Sequence, residues 1–191
     1  MMIRMFLTLC FLTFSSLVSA SSGLDLVKAA KTQIGVTLTY DSGYRELSYP
    51  GGDVPLVRGV CTDVLIRAYR QLNIDLQPLV HEDMKKAWSE YPKIWGLKTP
   101  DTNIDHRRVP NLAVFFKRHA QTLPLTQESK SFLPGDIVTW RLSSGVPHIG
   151  LVADQRGPSG ALKVIHNIGE GTRMEDLLFS YEITGHYRYA P

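Results

Sequence analysis

The segment GVCTDVLIRAYRQLN, residues 59–73, carries a cysteine at the head of an amphipathic pattern. Four apolar side chains follow it at helical spacing: Val64, Leu65, Ala68 and Leu72. Asn73 suits the end of a helix, because asparagine tolerates the left-handed backbone that often closes one. The segment therefore predicts a helix whose first turn holds Cys61. That sulfur is either a nucleophile or a small residue of the core.

The start of a helix favours a reactive thiol. Its unpaired N–H groups and the positive end of its dipole stabilise a thiolate, whereas a free cysteine has a pKa of about 8.5. The same N–H groups suit the oxyanion that forms in acyl transfer. We therefore expect a thiolate-rich Cys61, with a base within hydrogen-bond reach and a third group that orients the base.

The first 20 residues have the pattern of an export signal. Arg4 precedes an apolar run over residues 5–18, and small residues stand before the expected cleavage point after Ala20. The run of about 14 residues is shorter than the roughly 20 that span a bilayer. We expect a periplasmic or secreted protein without stable membrane insertion after cleavage, in which residues 21–191 form one monomeric domain.

Cleavage leaves one cysteine. Cys10 lies within the signal, so Cys61 has no intramolecular disulfide partner in a compartment where disulfides are the usual use of cysteine. A lone exported thiol is open to oxidation unless it is buried or useful, which favours a functional role.

The charge pattern gives little support for a polyanionic partner. The chain has 21 basic and 18 acidic residues, a formal net charge of +3. The basic residues are scattered, and no Lys/Arg-rich block appears beyond short pairs such as Arg107-Arg108. We therefore expect no nucleic-acid partner.

The hydrophobic period changes between the two halves of the chain. Helical patterns cover residues 23–34, 61–73, 78–88 and 110–119, and strand patterns cover 136–142, 148–154, 162–168 and a last segment that includes 186–189. Helices followed by antiparallel strands indicate an α+β fold.

Two histidines are candidates for the base and its orienter. His148 opens one predicted strand and His166 lies near the end of the next, so antiparallel pairing places both at one end of the sheet. His148 could be the base and His166 the orienter. Asn167 is an alternative orienter, but it faces the opposite side of its strand from His166. A histidine on a strand is, taken alone, more often structural.

The order of these motifs resembles a known family. Cys61-x-Asp63-Val64-Leu65, Leu133-Pro-Gly-Asp-Ile-Val138, His148-Ile-Gly-Leu-Val152 and Val164-Ile-His166 are similar to the NlpC-type branch of papain-like cysteine hydrolases, mostly bacterial cell-wall endopeptidases. More closely, "RGVCTDVLIRAYR", "NIDHRRVPNL" and "GHYRY" resemble the YijF-type family of uncharacterised bacterial proteins.

The NlpC-type resemblance implies a papain-like fold and assigns roles by position. Cys61 becomes the nucleophile, His148 the general base and His166 the polar third member. Tyr40 stands near the place of a tyrosine that assists at the oxyanion, although a packing role is the alternative. The chain departs from the family pattern beside the cysteine, where Val60 and Thr62 replace an acid and a serine that help to hold a free amino terminus.

Other polar residues are weaker candidates for substrate or oxyanion binding. Thr62 keeps a hydroxyl beside the cysteine. Asp63 lies in the first helical turn, where an acid also has a structural role through the dipole. Asp105 and Arg107 belong to a charged loop that could bind a carboxylate-rich peptide, or could be a solvated loop held by ion pairs.

These observations predict an exported cysteine hydrolase, an amidase or endopeptidase that cleaves peptidoglycan stem peptides through a thioacyl-enzyme and needs no cofactor. An acyltransferase or thioesterase would use the same residues. A non-catalytic cell-wall-binding module is an alternative from another class. A metal site built from Cys61, His148 and His166 lacks the short paired ligand spacing typical of such sites.

Overall fold

The computed structural model describes residues 17–189, with side chains from Gly23 onwards. Most of the expected export signal, residues 1–16, lies outside this range. In the described part of the chain the helices are α1 (Leu17–Lys31), α2 (Cys61–Gln71), α3 (Leu76–Lys86) and α4 (Val109–His119). None of them is long and apolar enough to cross a membrane.

The strands gather mainly in the second half of the chain. They are β1 (Thr39–Tyr40), β2 (Arg58–Gly59), β3 (Gln121–Thr122), β4 (Ile137–Arg141), β5 (Pro147–Arg156), β6 (Leu162–Asn167), β7 (Thr172–Glu175) and β8 (Glu182–Arg188). Six of them form an antiparallel sheet in the order β3-β8-β4-β5-β6-β7, while β1 and β2 form a small parallel pair. The predicted α+β fold is confirmed.

Alternating side chains on the sheet build two cores. Ile149, Leu151 and Ile165 belong to the main core with residues of α1, α2 and α4. Val152 and Val164, on the opposite face, pack in a second core around Trp140. This alternation places successive side chains of β5 and β6 on different faces, which decides where each histidine points.

The helix that carries Cys61 begins and ends as the sequence predicts. Its first residue is Cys61, and Asn73 adopts a left-handed φ of 62° just after its end. The start of α3 differs from the prediction, because the helix begins at Leu76 rather than at Pro78. The Asp75 carboxylate accepts the N–H of Gln77 and so caps the start of α3. Pro78 is tolerated in the first turn, because the N–H that it lacks would have no partner within the helix.

The sheet opens between β5 and β6 near the predicted site. Their pairing runs from Leu151 opposite Ile165 towards the hairpin, and Ile149 lies beyond the last pair. Gly150 lies at this opening, where an added Cβ would come within 2.6 Å of Val164 Cγ1 and 3.2 Å of His166 Cβ. The two strands can therefore approach each other here only with glycine at position 150.

Candidate active site

Cys61 is buried at the N-terminus of α2, with 3% of its surface exposed. Burial raises the pKa of the thiol to about 12, although the N–H of Ile149 and those of Thr62 and Cys61 itself favour the thiolate. The N–H groups at the helix start lower the pKa of Cys61, as predicted, but desolvation raises it by more. The expectation of a thiolate-rich resting state is therefore wrong, and the resting side chain is a neutral thiol.

Two buried histidines form a hydrogen-bonded chain that starts one residue before Ile149, whose N–H faces the thiol. His148 precedes Ile149 on β5, so the strand segment that contacts the sulfur also carries the imidazole. His148 Nε2 lies 3.0 Å from His166 Nδ1, and His166 Nε2 lies 2.8 Å from Oε2 of Glu175 on β7. We call these three residues the His148 chain.

The hydrogen bonds assign the protons in the His148 chain. A Glu175 carboxylate only accepts, so His166 carries its proton on Nε2 and accepts at Nδ1. His148 then donates from Nε2, which leaves the lone pair of its Nδ1 as the base. Burial, reinforced by His166, lowers the pKa of His148 to about 3. Burial also lowers the pKa of His166, while Glu175 acts in the opposite direction. Both imidazoles are therefore neutral at neutral pH.

The contact shows that His148 and His166 lie together, while their roles as base and orienter stay a prediction. Asn167, the alternative orienter, is occupied elsewhere. Its Nδ2 donates to the Gly59 carbonyl at 3.0 Å, and its Oδ1 accepts the N–H of Gly169 at 3.2 Å.

Tyr40 lies beside the thiol from the other side of the site. Its hydroxyl faces Cys61, and its pKa is raised by burial and by that neighbour. Tyr40 ends the short strand β1, which pairs with β2 just before Val60 and Cys61. The β1–β2 pair thus fixes the tyrosine next to the start of α2.

Three of the weaker candidates form a buried scaffold under the site. Arg107 donates from Nε and Nη2 to the two oxygens of Asp63, both at 2.9 Å. Asp63 also accepts the N–H of Val60 at 2.7 Å, and the Thr62 hydroxyl donates to the Arg107 carbonyl at 3.0 Å. Thr62 and Asp63 are buried and occupied, so we revise their predicted role from substrate contact to positioning of the Cys61 turn.

Asp105 is likewise a buried structural residue and not a substrate contact. One of its oxygens accepts the N–H of Asp101, and the other lies 3.5 Å from Nη1 of Arg108. Burial raises the pKa of Asp105 to about 6, although the Asp101 hydrogen bond and Arg108 act against it. The carboxylate closes the polar loop that leads into α4.

A cleft of about 180 Å³ opens onto the thiol. Its walls include Tyr40, Cys61, Trp95, Arg107, Arg108 and Pro147. Pro147 directly precedes His148, so the cleft reaches the head of the strand that carries the base. Arg107 thus borders the cleft while its guanidinium is held by Asp63.

Sequence reasoning missed Glu175, and it named Arg108 only as part of the charged loop of residues 105–108, without separating it from Arg107. Glu175 ends a four-residue strand with mixed burial, which lacks the apolar alternation that marks a strand. Both arginines border the cleft, and only the folded chain shows that Asp63 pairs with Arg107 and not with Arg108. Among the described residues, no group of three or more His, Cys, Asp or Glu is arranged to hold a metal ion.

Comparisons with known proteins give relatives along nearly the whole described chain. A family described as a domain of unknown function, DUF1287, matches residues 27–189. "Uncharacterized protein YijF" of Escherichia coli (strain K12) is 54% identical over 172 residues, which cover 90% of this chain and 84% of that protein. The predicted resemblance to the YijF-type family is confirmed.

Two solved structures of Trichomonas vaginalis proteins are also similar. NlpC1 shares 21% identity at a TM-score of 0.48, with 88% of this chain and 44% of that chain covered. NlpC2 shares 18% identity at a TM-score of 0.46, with 87% of this chain and 48% of that chain covered. This chain spans less than half of the length of each.

Proposed function

We propose that this chain, which belongs to the DUF1287 family, is a cysteine hydrolase that cleaves an amide bond through a thioacyl-enzyme. One observation carries the proposal. The Cys61 thiol lies at a helix N-terminus against the N–H of Ile149, the residue that follows His148, and it is open to a cleft. Nucleophile, base and orienter are the three parts that acyl transfer by a thiol needs.

In the first half-reaction, His148 Nδ1 takes the thiol proton while Sγ bonds to the carbonyl carbon of the substrate. The N–H of Cys61 and the Tyr40 hydroxyl are the donors closest to the developing oxyanion. The imidazolium is stabilised through His166 and Glu175. It then gives its proton to the amine nitrogen, the C–N bond breaks, and the amine leaves with the acyl group bound to sulfur.

Water completes the cycle. His148, neutral again, takes a proton from a water molecule as its oxygen attacks the thioester carbonyl. The C–S bond breaks, the acid leaves, and the thiol regains its proton. Because both thiol and imidazole rest neutral, proton transfer occurs with the attack and no thiolate–imidazolium pair is stored beforehand.

The proposed substrate is a peptide amide of peptidoglycan, and the proposed location is the periplasm or the exterior of a bacterial cell. The export-signal pattern of residues 1–20 and the similarity of the motif order to NlpC-type hydrolases support this choice.

The test is a digest of purified peptidoglycan with the purified protein, followed by mass spectrometry of released fragments. We expect new amine and carboxyl ends from one type of amide bond, and none with Cys61→Ala at equal thermal stability. Fragments joined to an added amine acceptor would instead identify an acyltransferase. Equal release by the wild-type and Cys61→Ala proteins would exclude the thiol mechanism.

A further inference from the structure

The charged residues that line the cleft are both basic. Arg107 and Arg108 border it together with Tyr40, Ser42 and Trp95, and no Asp or Glu is among its lining residues in the described part of the chain. Val60, which also lines it, offers no charge to an ammonium group. A cleft with this composition favours a ligand with negative charge.

The two arginines differ in how far the protein neutralises them. Arg107 is bound by both oxygens of Asp63, and this carboxylate raises its pKa despite burial. Arg108 has one long hydrogen bond, 3.5 Å to Asp105, among the described residues. Burial lowers the pKa of Arg108, because Asp105 and Asp101 do not offset its desolvation. Arg108 is thus the under-compensated cation of the cleft.

Trp95 fixes the orientation of this cation. The Arg108 guanidinium lies 4.0 Å from the centre of a Trp95 ring, and both side chains line the cleft. Stacking on an aromatic face holds the guanidinium plane and leaves its edge donors available, a geometry that suits a carboxylate bound by two hydrogen bonds.

We propose that Arg108 binds a carboxylate of the substrate while Cys61 attacks a neighbouring carbonyl, so that the site takes peptides with an acidic group beside the scissile amide. This inference rests on the proposed function, because it assigns the cleft as the substrate site. Recognition of a carboxylate would replace the recognition of a free amine that Val60 cannot provide.

The test uses two thiol-alkylating probes of equal size, N-bromoacetylglycine and N-bromoacetylglycinamide. Each transfers its acetyl carbon to Sγ of Cys61 with loss of bromide and of the thiol proton, and only the first carries a carboxylate. We measure the acid-to-amide ratio of alkylation rates at Cys61 and divide it by the ratio for N-acetylcysteine. Hydrolysis is not needed for this readout.

We expect a normalised ratio of about ten in the wild-type protein, the size of one charged hydrogen-bonded contact. Arg108→Gln should bring it close to one, Arg108→Lys should retain part of it, and added salt should lower it. Arg156→Gln is the matched control, because this exposed arginine lies at the far end of β5. Thermal midpoints of all variants show whether each is folded.

Reaction at Cys61 with a normalised ratio near one, or a ratio unchanged in both Arg108 variants, would overturn the carboxylate site and leave the proposed function intact. Failure of Cys61 to react with either probe would count against a substrate-accessible thiol, and both proposals would fall.

Discussion

Two buried histidines of the sheet each contact a carboxylate, and they differ in their other neighbours. The His148 chain runs from His148 through His166 to Glu175, and it begins directly after Pro147, which lines the cleft. In the second group, which we call the His186 cluster, His186 Nε2 lies 2.9 Å from Asp136 Oδ2. A histidine–carboxylate contact alone therefore does not identify a reactive site.

The His186 cluster is closed. Arg188 donates to both oxygens of Asp136, at 2.7 and 2.9 Å, and the His186 ring stacks on Phe132 with centroids 4.2 Å apart. Burial alone would raise the pKa of Asp136, but the bonds from His186 and Arg188 hold it below its usual range. The hydrogen-bonding groups of Asp136, His186 Nε2 and Arg188 bond to one another, so the His186 cluster joins β4 to β8. In the His148 chain, by contrast, the Nδ1 lone pair of His148 is left as the base.

The largest expected effect separates the two histidines. His148→Ala should lower amide hydrolysis per folded molecule about 10³-fold through loss of the general base. His186→Ala should lower the free energy of unfolding by about 2–3 kcal/mol, because a buried Asp136 loses a partner. Kinetics per folded molecule and thermal melts of both variants check this. A His186→Ala protein that is stable but inactive would reverse the assignment.

The next effect concerns the thiol of Cys61. Because burial raises the pKa of Cys61 to about 12, its thiolate fraction should keep rising with pH. Alkylation by iodoacetamide should therefore accelerate about tenfold per pH unit, or about 100-fold between pH 8 and 10. N-acetylcysteine, the control, should level off above its ordinary pKa. A plateau at Cys61 below pH 8 would instead indicate a resting thiolate.

Smaller losses should follow along the His148 chain with distance from the sulfur. His166→Ala should lower kcat about 30-fold, the value of a hydrogen bond to the imidazolium, and His166→Asn should retain more. Glu175→Gln should cost only about fivefold, since its carboxylate is partly exposed. KM should stay unchanged in each variant, because neither residue borders the cleft. A raised KM with normal kcat would contradict the positioning role.

The smallest expected effect concerns how the site recognises the amino end of its substrate. Acetylating the amino end of a stem-peptide substrate should change its cleavage less than tenfold, because Val60 offers no charge to an ammonium group and the Thr62 hydroxyl is occupied by Arg107. Turnover of paired free and acetylated peptides measures this. Val60→Asp should increase the preference for the free amine, and a strong preference in the wild-type protein would show that another acid holds it.

The parts of the site that the sequence predicts are those set by local patterns. A helical period locates Cys61 at a helix start, and alternation on two strands joined by a hairpin brings His148 and His166 together. Glu175 depends on the register between β6 and a short polar strand, which no local pattern specifies. The pKa of Cys61 depends on how many neighbours exclude water, and this follows from tertiary packing alone.

Gly150 makes this site sensitive to substitution at a position that has no chemical role. Any side chain at this position inserts atoms between β5 and β6 at the level where the two imidazoles meet, since even a Cβ would press on Val164 and His166. A residue without chemistry of its own thus constrains the site through the space it leaves. Substitutions elsewhere on the sheet alter its packing, but a substitution here alters the spacing between the base and its partner.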